Sequence, residues 1–336
     1  MAYETEDHDT QYCFPAINSS CIKGKRSRHE YNIMYVFFFS LLSAWTVFLN
    51  LLVIISISHF KKLHTPTNLI ILSLAMADLL IGLIVMPIEA NRLIDMCWYF
   101  GDTFCGLFMI IMGLLGSTSI SNLVLIAVDR YVAVCHPLLY PQKITMTKTL
   151  VSICLCWFFS SAYNTAFIIS NKYFDPSSRT DECYGECTLT VSFTFRVIDE
   201  IYSFLLPCTV IITAYLRIFY VVNQQVKVIN SMMKSGKCVM ESSVRRKSES
   251  KAALTLGIIV TAYLLCFIPY YILSLIGTTV ISSTTMTFLL WTLYINTGLN
   301  PLIYALFYSW FKISVKHILT LKILEPASSL IDIFTG

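Results

Sequence analysis

The chain has 336 residues, of which 56% are hydrophobic and 13% charged, with a formal net charge of +4. Its mean hydropathy is +0.68. Soluble domains carry about 25% charged residues, so this composition excludes an ordinary soluble protein, and so small a positive charge gives no support to a nucleic-acid partner.

Taken in chain order, residues 1–31 form a polar tail whose charges, Glu4 to Arg28, surround no apolar core, so it does not read as a cleavable signal peptide. The tail holds the only N-glycosylation sequon, Asn18-Ser19-Ser20. Apolar stretches of about 20 residues, long enough to cross a bilayer as helix, then recur at 32–58, 67–92, 103–134, 149–170, 194–223, 252–276 and 285–307. The expected fold class is an all-α membrane protein, a seven-helix bundle occupying 32–307, with no room for a separate soluble domain. Within it, 224–251 reads as a third cytoplasmic loop, basic and serine-bearing, suited to a cytosolic partner or anionic lipid. After the bundle, 308–322 has Phe311, Val315 and Ile318 on one helical face and Lys312 and Lys316 off it, the pattern of a short helix on the inner leaflet, and 323–336 is a tail.

Lys61, Lys62, Lys143, Lys148, the basic run from Lys227 to Lys251, and Lys312, Lys316 and Lys322 all fall on one side of such a bundle. The positive-inside rule makes that side cytoplasmic and places the N-terminus outside a plasma membrane. Six of the twelve cysteines, Cys13, Cys21, Cys97, Cys105, Cys183 and Cys187, then face an oxidising compartment. Six cysteines allow about 15 pairings, which sequence alone does not separate.

Polar groups inside the spans are site candidates, because each is expensive in a bilayer. Asp78 in the second span can meet Ser119 in the third and Asn296 and Asn300 in the seventh. That oxygen-rich set suits a sodium ion; the other reading is a carboxyl kept neutral or satisfied by hydrogen bonds alone. Asp129-Arg130-Tyr131 ends the third span, and Arg130 can pair with Asp129 or with Glu249 at the inner start of the sixth, or can snorkel to water. Pro87, Pro207, Pro269 and Pro301 interrupt four spans and are candidate hinges. In "FRVIDEIYSFLLPC", Asp199 and Glu200 stand side by side in the fifth span. Successive helical residues differ by about 100°, so the two cannot face one point.

These motifs occur together and in order. "LSLAMADLL", "GSTSISNLVLIAVDRYVAVCHPLLYP" and "NTGLNPLIYALFY" resemble the second, third and seventh helices of a rhodopsin-like G-protein-coupled receptor. Asn50, Trp157, Pro207 with Tyr215, Pro269 and the Asn300-to-Tyr304 motif supply the remaining landmarks. "YCFPAINSSC", "CWYFGDTFC", "CYGEC" and "ESKAALTLGIIV" are most similar to the trace amine-associated receptors.

That resemblance implies disulfides Cys105–Cys187, Cys13–Cys183 and Cys21–Cys97, a heterotrimeric G protein of the stimulatory type acting through cyclic AMP, and an olfactory-type amine ligand. Arg130, Tyr131, Tyr215 and Tyr304 take the switch positions. The aspartate with which aminergic receptors bind the ligand ammonium lies 18 residues before the Arg130 position and seven after the disulfide Cys105, and both counts reach Met112. The usual anchor is therefore missing. Asp199, eight residues or about 12 Å before Pro207, lies at the depth of small-ligand binding in this fold and is the replacement expected here. Ser203, Phe267, Tyr270, Tyr271, Trp291 and Tyr294 are the candidate neighbours, and Glu89 a second anionic end that would suit a diamine unless Arg92 cancels it. In the other reading, Asp199 and Glu200 are structural partners of Arg196. A small-cation transporter or channel is the rival class, and a receptor for a non-amine ligand the rival within the fold. No nucleophile–base pair, metal-spaced His/Cys set or phosphate loop points to an enzyme.

Overall fold

The computed structural model describes residues 11–17, 19–23, 40–174, 183–189, 191–234, 257, 261, 263–273, 283–307, 309–325 and 328–331, with side chains left out at 304–307 and a few other helical positions. Asn18, Glu249 and the Tyr304 side chain lie outside the described residues. Among the described residues, five helices have the length and hydropathy to cross a membrane: Leu42–His59, Pro66–Arg92, Asp102–Cys135, Met146–Ser170 and Phe193–Val228. Tyr263–Leu273 is a shorter apolar helix, and Ser283–Phe307 is helical over 25 residues. The first stands within the sixth apolar stretch, and the second covers the seventh, starting two residues before it.

Local chemistry sets the helix starts. Thr65 accepts from the Asn68 amide, with Pro66 opening the second span. Thr145 accepts from Lys148 and Ser192 from Phe195 in the same way. Each hydroxyl satisfies an amide that has no partner in the first helical turn, and proline there loses no bond. The fifth helix continues to Lys234, so residues 224–234 are helical where the sequence suggested loop. "QQVKVINSMMK" holds no glycine or proline and is rich in helix-forming Gln, Lys and Met, so nothing in it stops the helix.

Two prolines leave a specific mark. Five-residue π-helical turns occupy Ile81–Val85 and Ile201–Leu205, just ahead of Pro87 and Pro207. A proline has no N–H to give and pushes against the carbonyl four residues back, so the preceding turn widens by a residue. Asp199 and Glu200 stand immediately above the second of these turns.

The bundle interior has two apolar layers. The inner one gathers Val53, Leu74, Ala127, Ile211 and Tyr263, and the outer one Met86, Phe108, Leu115, Trp291 and Tyr294. The third and fourth spans touch closely: a Cβ at Gly113 would lie 2.1 Å from Asn164 Oδ1. Outward-facing residues such as Phe158, Leu216 and Phe219 are more than 60% exposed, an apolar coat that only lipid can cover. The helix Ser309–Leu319 follows the seventh span, burying Trp310 and Phe311 against the bundle while Lys312 and Lys316 face out.

Candidate functional site

A cavity of about 650 Å³ opens among the outer halves of the helices, and Met112, Asp199, Glu89, Arg92 and Tyr270 are in its wall. The helical step separates the paired carboxylates. Asp199 lines the cavity, while Glu200 is buried at 5% exposure and is not among the described lining residues. Tyr163, on the fourth span, donates its hydroxyl to Asp199 Oδ1 at 2.7 Å. Its ring lies 4.3 Å from that of Tyr202. Asp199 Oδ2 has no donor among the described residues. Arg196 shares the wall and donates through Nη2 to the Val191 carbonyl at 3.2 Å.

Other expected residues take different places. Ser203 gives its hydroxyl to the Asp199 backbone carbonyl at 2.6 Å. Tyr271 stacks on Phe204 at 4.2 Å and Phe267 on Tyr263 at 4.1 Å, packed against the inner apolar layer. Trp291 and Tyr294 are buried edge to face, 5.4 Å apart. The Tyr294 hydroxyl donates to the Met112 sulfur at 3.9 Å, so the position of the missing anchor is occupied by a soft, weakly polar contact.

Glu89 is 1% exposed and held by Arg92, whose Nε donates to Oε2 at 3.0 Å and whose Nη2 donates to Oε1. Arg92 Nη1 also donates to the Cys187 carbonyl at 3.2 Å. The second anionic end is thus neutralised within the wall.

The roof of the cavity is stapled three ways. Cys105 is bonded to Cys187 across a Cα separation of 5.7 Å. The tail cysteines exchange the partners that the resemblance implied: Cys13 bonds Cys97 and Cys21 bonds Cys183. The reason is register. The Cys21 amide donates to the Tyr184 carbonyl at 2.9 Å and the Tyr184 amide to Ser19 at 2.8 Å. This places Cys21 beside Cys183, and the antiparallel return through Tyr12 and Ile22 turns Cys13 toward Cys97. Gly185, at φ +97°, allows the outer loop its turn beneath Phe14.

Below the cavity, Asp78 is fully buried. Ser119 donates to its Oδ1 at 3.1 Å and Asn300 Nδ2 to its Oδ2 at 2.9 Å; Asn296 is buried as well. At the inner end, Arg130 donates through Nε to Asp129 Oδ2 at 2.8 Å and through Nη2 to Thr67. Thr67 and Tyr140 each donate to Asp129 at 2.9 Å. Burial raises the Tyr140 hydroxyl above its ordinary pKa, keeping it a donor. Tyr131 and Tyr215 pack against the inner apolar layer. Sequence reasoning missed Tyr163, Thr67 and Tyr140: the first two stand outside the quoted motifs, Tyr140 stands next to last in the third-helix stretch without being singled out, and all three reach their carboxylates only through packing.

The match to known proteins agrees with this geometry. Residues 49–304 match the family described as 7 transmembrane receptor (rhodopsin family). The chain is 41% identical to Trace amine-associated receptor 13c of Danio rerio, with 100% of both chains covered. It is 38% identical to Trace amine-associated receptor 6 of Rattus norvegicus, covering 97% of this chain and 96% of that one. Similarity to Trace amine-associated receptor 8a of Rattus norvegicus is 39%, over 97% of each. The chain belongs to the rhodopsin family of seven-transmembrane receptors, and within it to the trace amine-associated receptors. It is therefore a multi-pass plasma-membrane receptor, not an enzyme, whose partners are a small ligand and a heterotrimeric G protein.

Proposed function

We propose that this receptor binds small extracellular amines through Asp199 and signals through a stimulatory-type G protein to cyclic AMP. One observation carries the reading: Met112 and Asp199 line the same cavity, and Asp199 has a carboxylate oxygen without a donor among the described residues. A primary amine is charged at pH 7 because its proton affinity resembles that of lysine. Its charge-assisted bond to Asp199 contributes about 1.5–3 kcal/mol. The Tyr270 ring in the wall adds about 0.5–2 kcal/mol of cation–π attraction where water is excluded. The names of the relatives support an amine as the ligand class.

Agonist binding favours a bundle contracted around the cavity. The widened turn Ile201–Leu205 lets the fifth helix move, and Arg130 leaves Asp129 and Thr67 to meet the G protein. The N-terminal tail is extracellular in this arrangement, and 308–322 lies on the inner leaflet. The Asp78 layer fits a sodium ion on donor chemistry. Its carboxylate is wholly buried with no cationic partner among the described residues, and Ser119, Asn296 and Asn300 offer hard oxygens. Sodium there would supply the missing counter-charge.

The test is a cyclic AMP reporter in cells expressing the full chain. Asp199→Ala should abolish amine responses at unchanged surface level while Met112→Ala stays within about threefold of wild type, as a neutral contact warrants. Full amine sensitivity in Asp199→Ala would remove the assignment.

A further inference from the structure

The cavity wall contains a guanidinium that is only partly used. Arg92 spends three of its five N–H donors, two on Glu89 and one on the Cys187 carbonyl. The other two have no acceptor among the described residues, and the side chain is 29% exposed in the cavity wall. We propose that the amine ligand carries, at the end away from its nitrogen, a neutral oxygen that accepts from Arg92: the preferred ligands are amino alcohols or amino ethers, not diamines. The inference rests on the pairing of the ammonium with Asp199.

Charge decides between the possible far ends. A second ammonium would approach a guanidinium; of the other carboxylates in the wall, Glu89 is 1% exposed and already paired, and Glu186, beside Cys187, is engaged as well. A carboxylate would be drawn to Arg92 but repelled by Glu89 on the same guanidinium, and it would lose its hydration on entry. A hydroxyl or ether oxygen meets neither cost. It accepts the unused N–H groups of a pair that is already neutral as a whole. Arg92 and Glu89 come from one helical turn of the second span, and Asp199 from the fifth. The ligand therefore spans the cavity, and its length is part of the recognition.

The experiment uses cells expressing the full receptor and a length series of primary alkylamines, each with its ω-hydroxy and ω-amino counterpart, read as cyclic AMP. At the best length the ω-hydroxy amine should act at about one-tenth the concentration of the plain alkylamine, and the diamine should be no better than the alkylamine. In the double variant Glu89→Gln/Arg92→Met, which removes both charges together, the hydroxy amine and the plain alkylamine of equal length should act at equal concentrations. Arg92→Met alone exposes an unpaired Glu89 and should raise diamine potency. That single variant strands a buried charge and risks misfolding, so surface labelling accompanies it and the double variant carries the decision. Equal potency of hydroxy and plain amines at every length, or a hydroxyl advantage that survives the double variant, overturns the inference. If Asp199→Asn leaves the plain alkylamines untouched, the ammonium pairing has failed. A series that depends on Asp199 but ignores the hydroxyl removes the far end alone.

Discussion

Asp78 and Asp199 are the same side chain inside the same bundle, yet the protein treats them differently. Asp78 has no exposed surface and a donor on each oxygen, Ser119 on one and Asn300 on the other. Asp199 has one oxygen held by Tyr163 and stands in a cavity wall. Asp129 and Glu89 resemble Asp78, since Arg130, Thr67 and Tyr140 satisfy the first and Arg92 the second. A carboxylate in a membrane is costly wherever it lies. What differs is how many of its acceptor sites neighbouring side chains fill, and at Asp199 one oxygen has no donor among the described residues.

The largest expected effect tests that contrast directly. Asp199→Asn keeps the shape and the Tyr163 contact but removes the charge. Amine potency in a cyclic AMP assay should fall by about ten- to 150-fold, the equivalent of about 1.5–3 kcal/mol. Asp78→Asn should do something else: amine responses persist, but the roughly fivefold shift in potency expected when sodium replaces potassium in the medium disappears. A sodium effect that survives this substitution would leave Asp78 as a purely structural group.

Tyr163→Phe sharpens the comparison on the cavity side. Without the hydroxyl, Asp199 loses the bond that fixes its orientation, and amine potency should fall by about three- to tenfold at unchanged maximal response. If potency rises instead, Tyr163 competes with the ligand for the carboxylate. The roof gives a yes-or-no result. Peptide mapping of the purified receptor under non-reducing conditions should recover Cys13 with Cys97, Cys21 with Cys183 and Cys105 with Cys187. Cys13 recovered with Cys183 would show that the tail lies in the opposite register.

Much of this was legible from one dimension. Apolar runs of membrane-spanning length, lysines gathered on one side, and Asp129-Arg130-Tyr131 in register with Cys105 and Met112 are properties of spacing along the chain. Hydropathy and the helical rise turn them into spans, orientation and depth without any tertiary information. The loss at Met112 and the adjacent carboxylates at 199 and 200 were equally visible, because a helix fixes angles as well as heights.

Which helix supplies a partner to each buried charge is decided only when the helices pack. Tyr163 reaching Asp199, Thr67 and Tyr140 reaching Asp129, and the exchange of tail cysteines all depend on cross-chain register, for which the sequence carries no period. The sequence determined that a receptor bundle would contain these carboxylates and at what depth. The tertiary structure decided which of them would remain partly unsatisfied, because hydrogen bonds between helices depend on packing distances of a few tenths of an ångström that no spacing rule encodes.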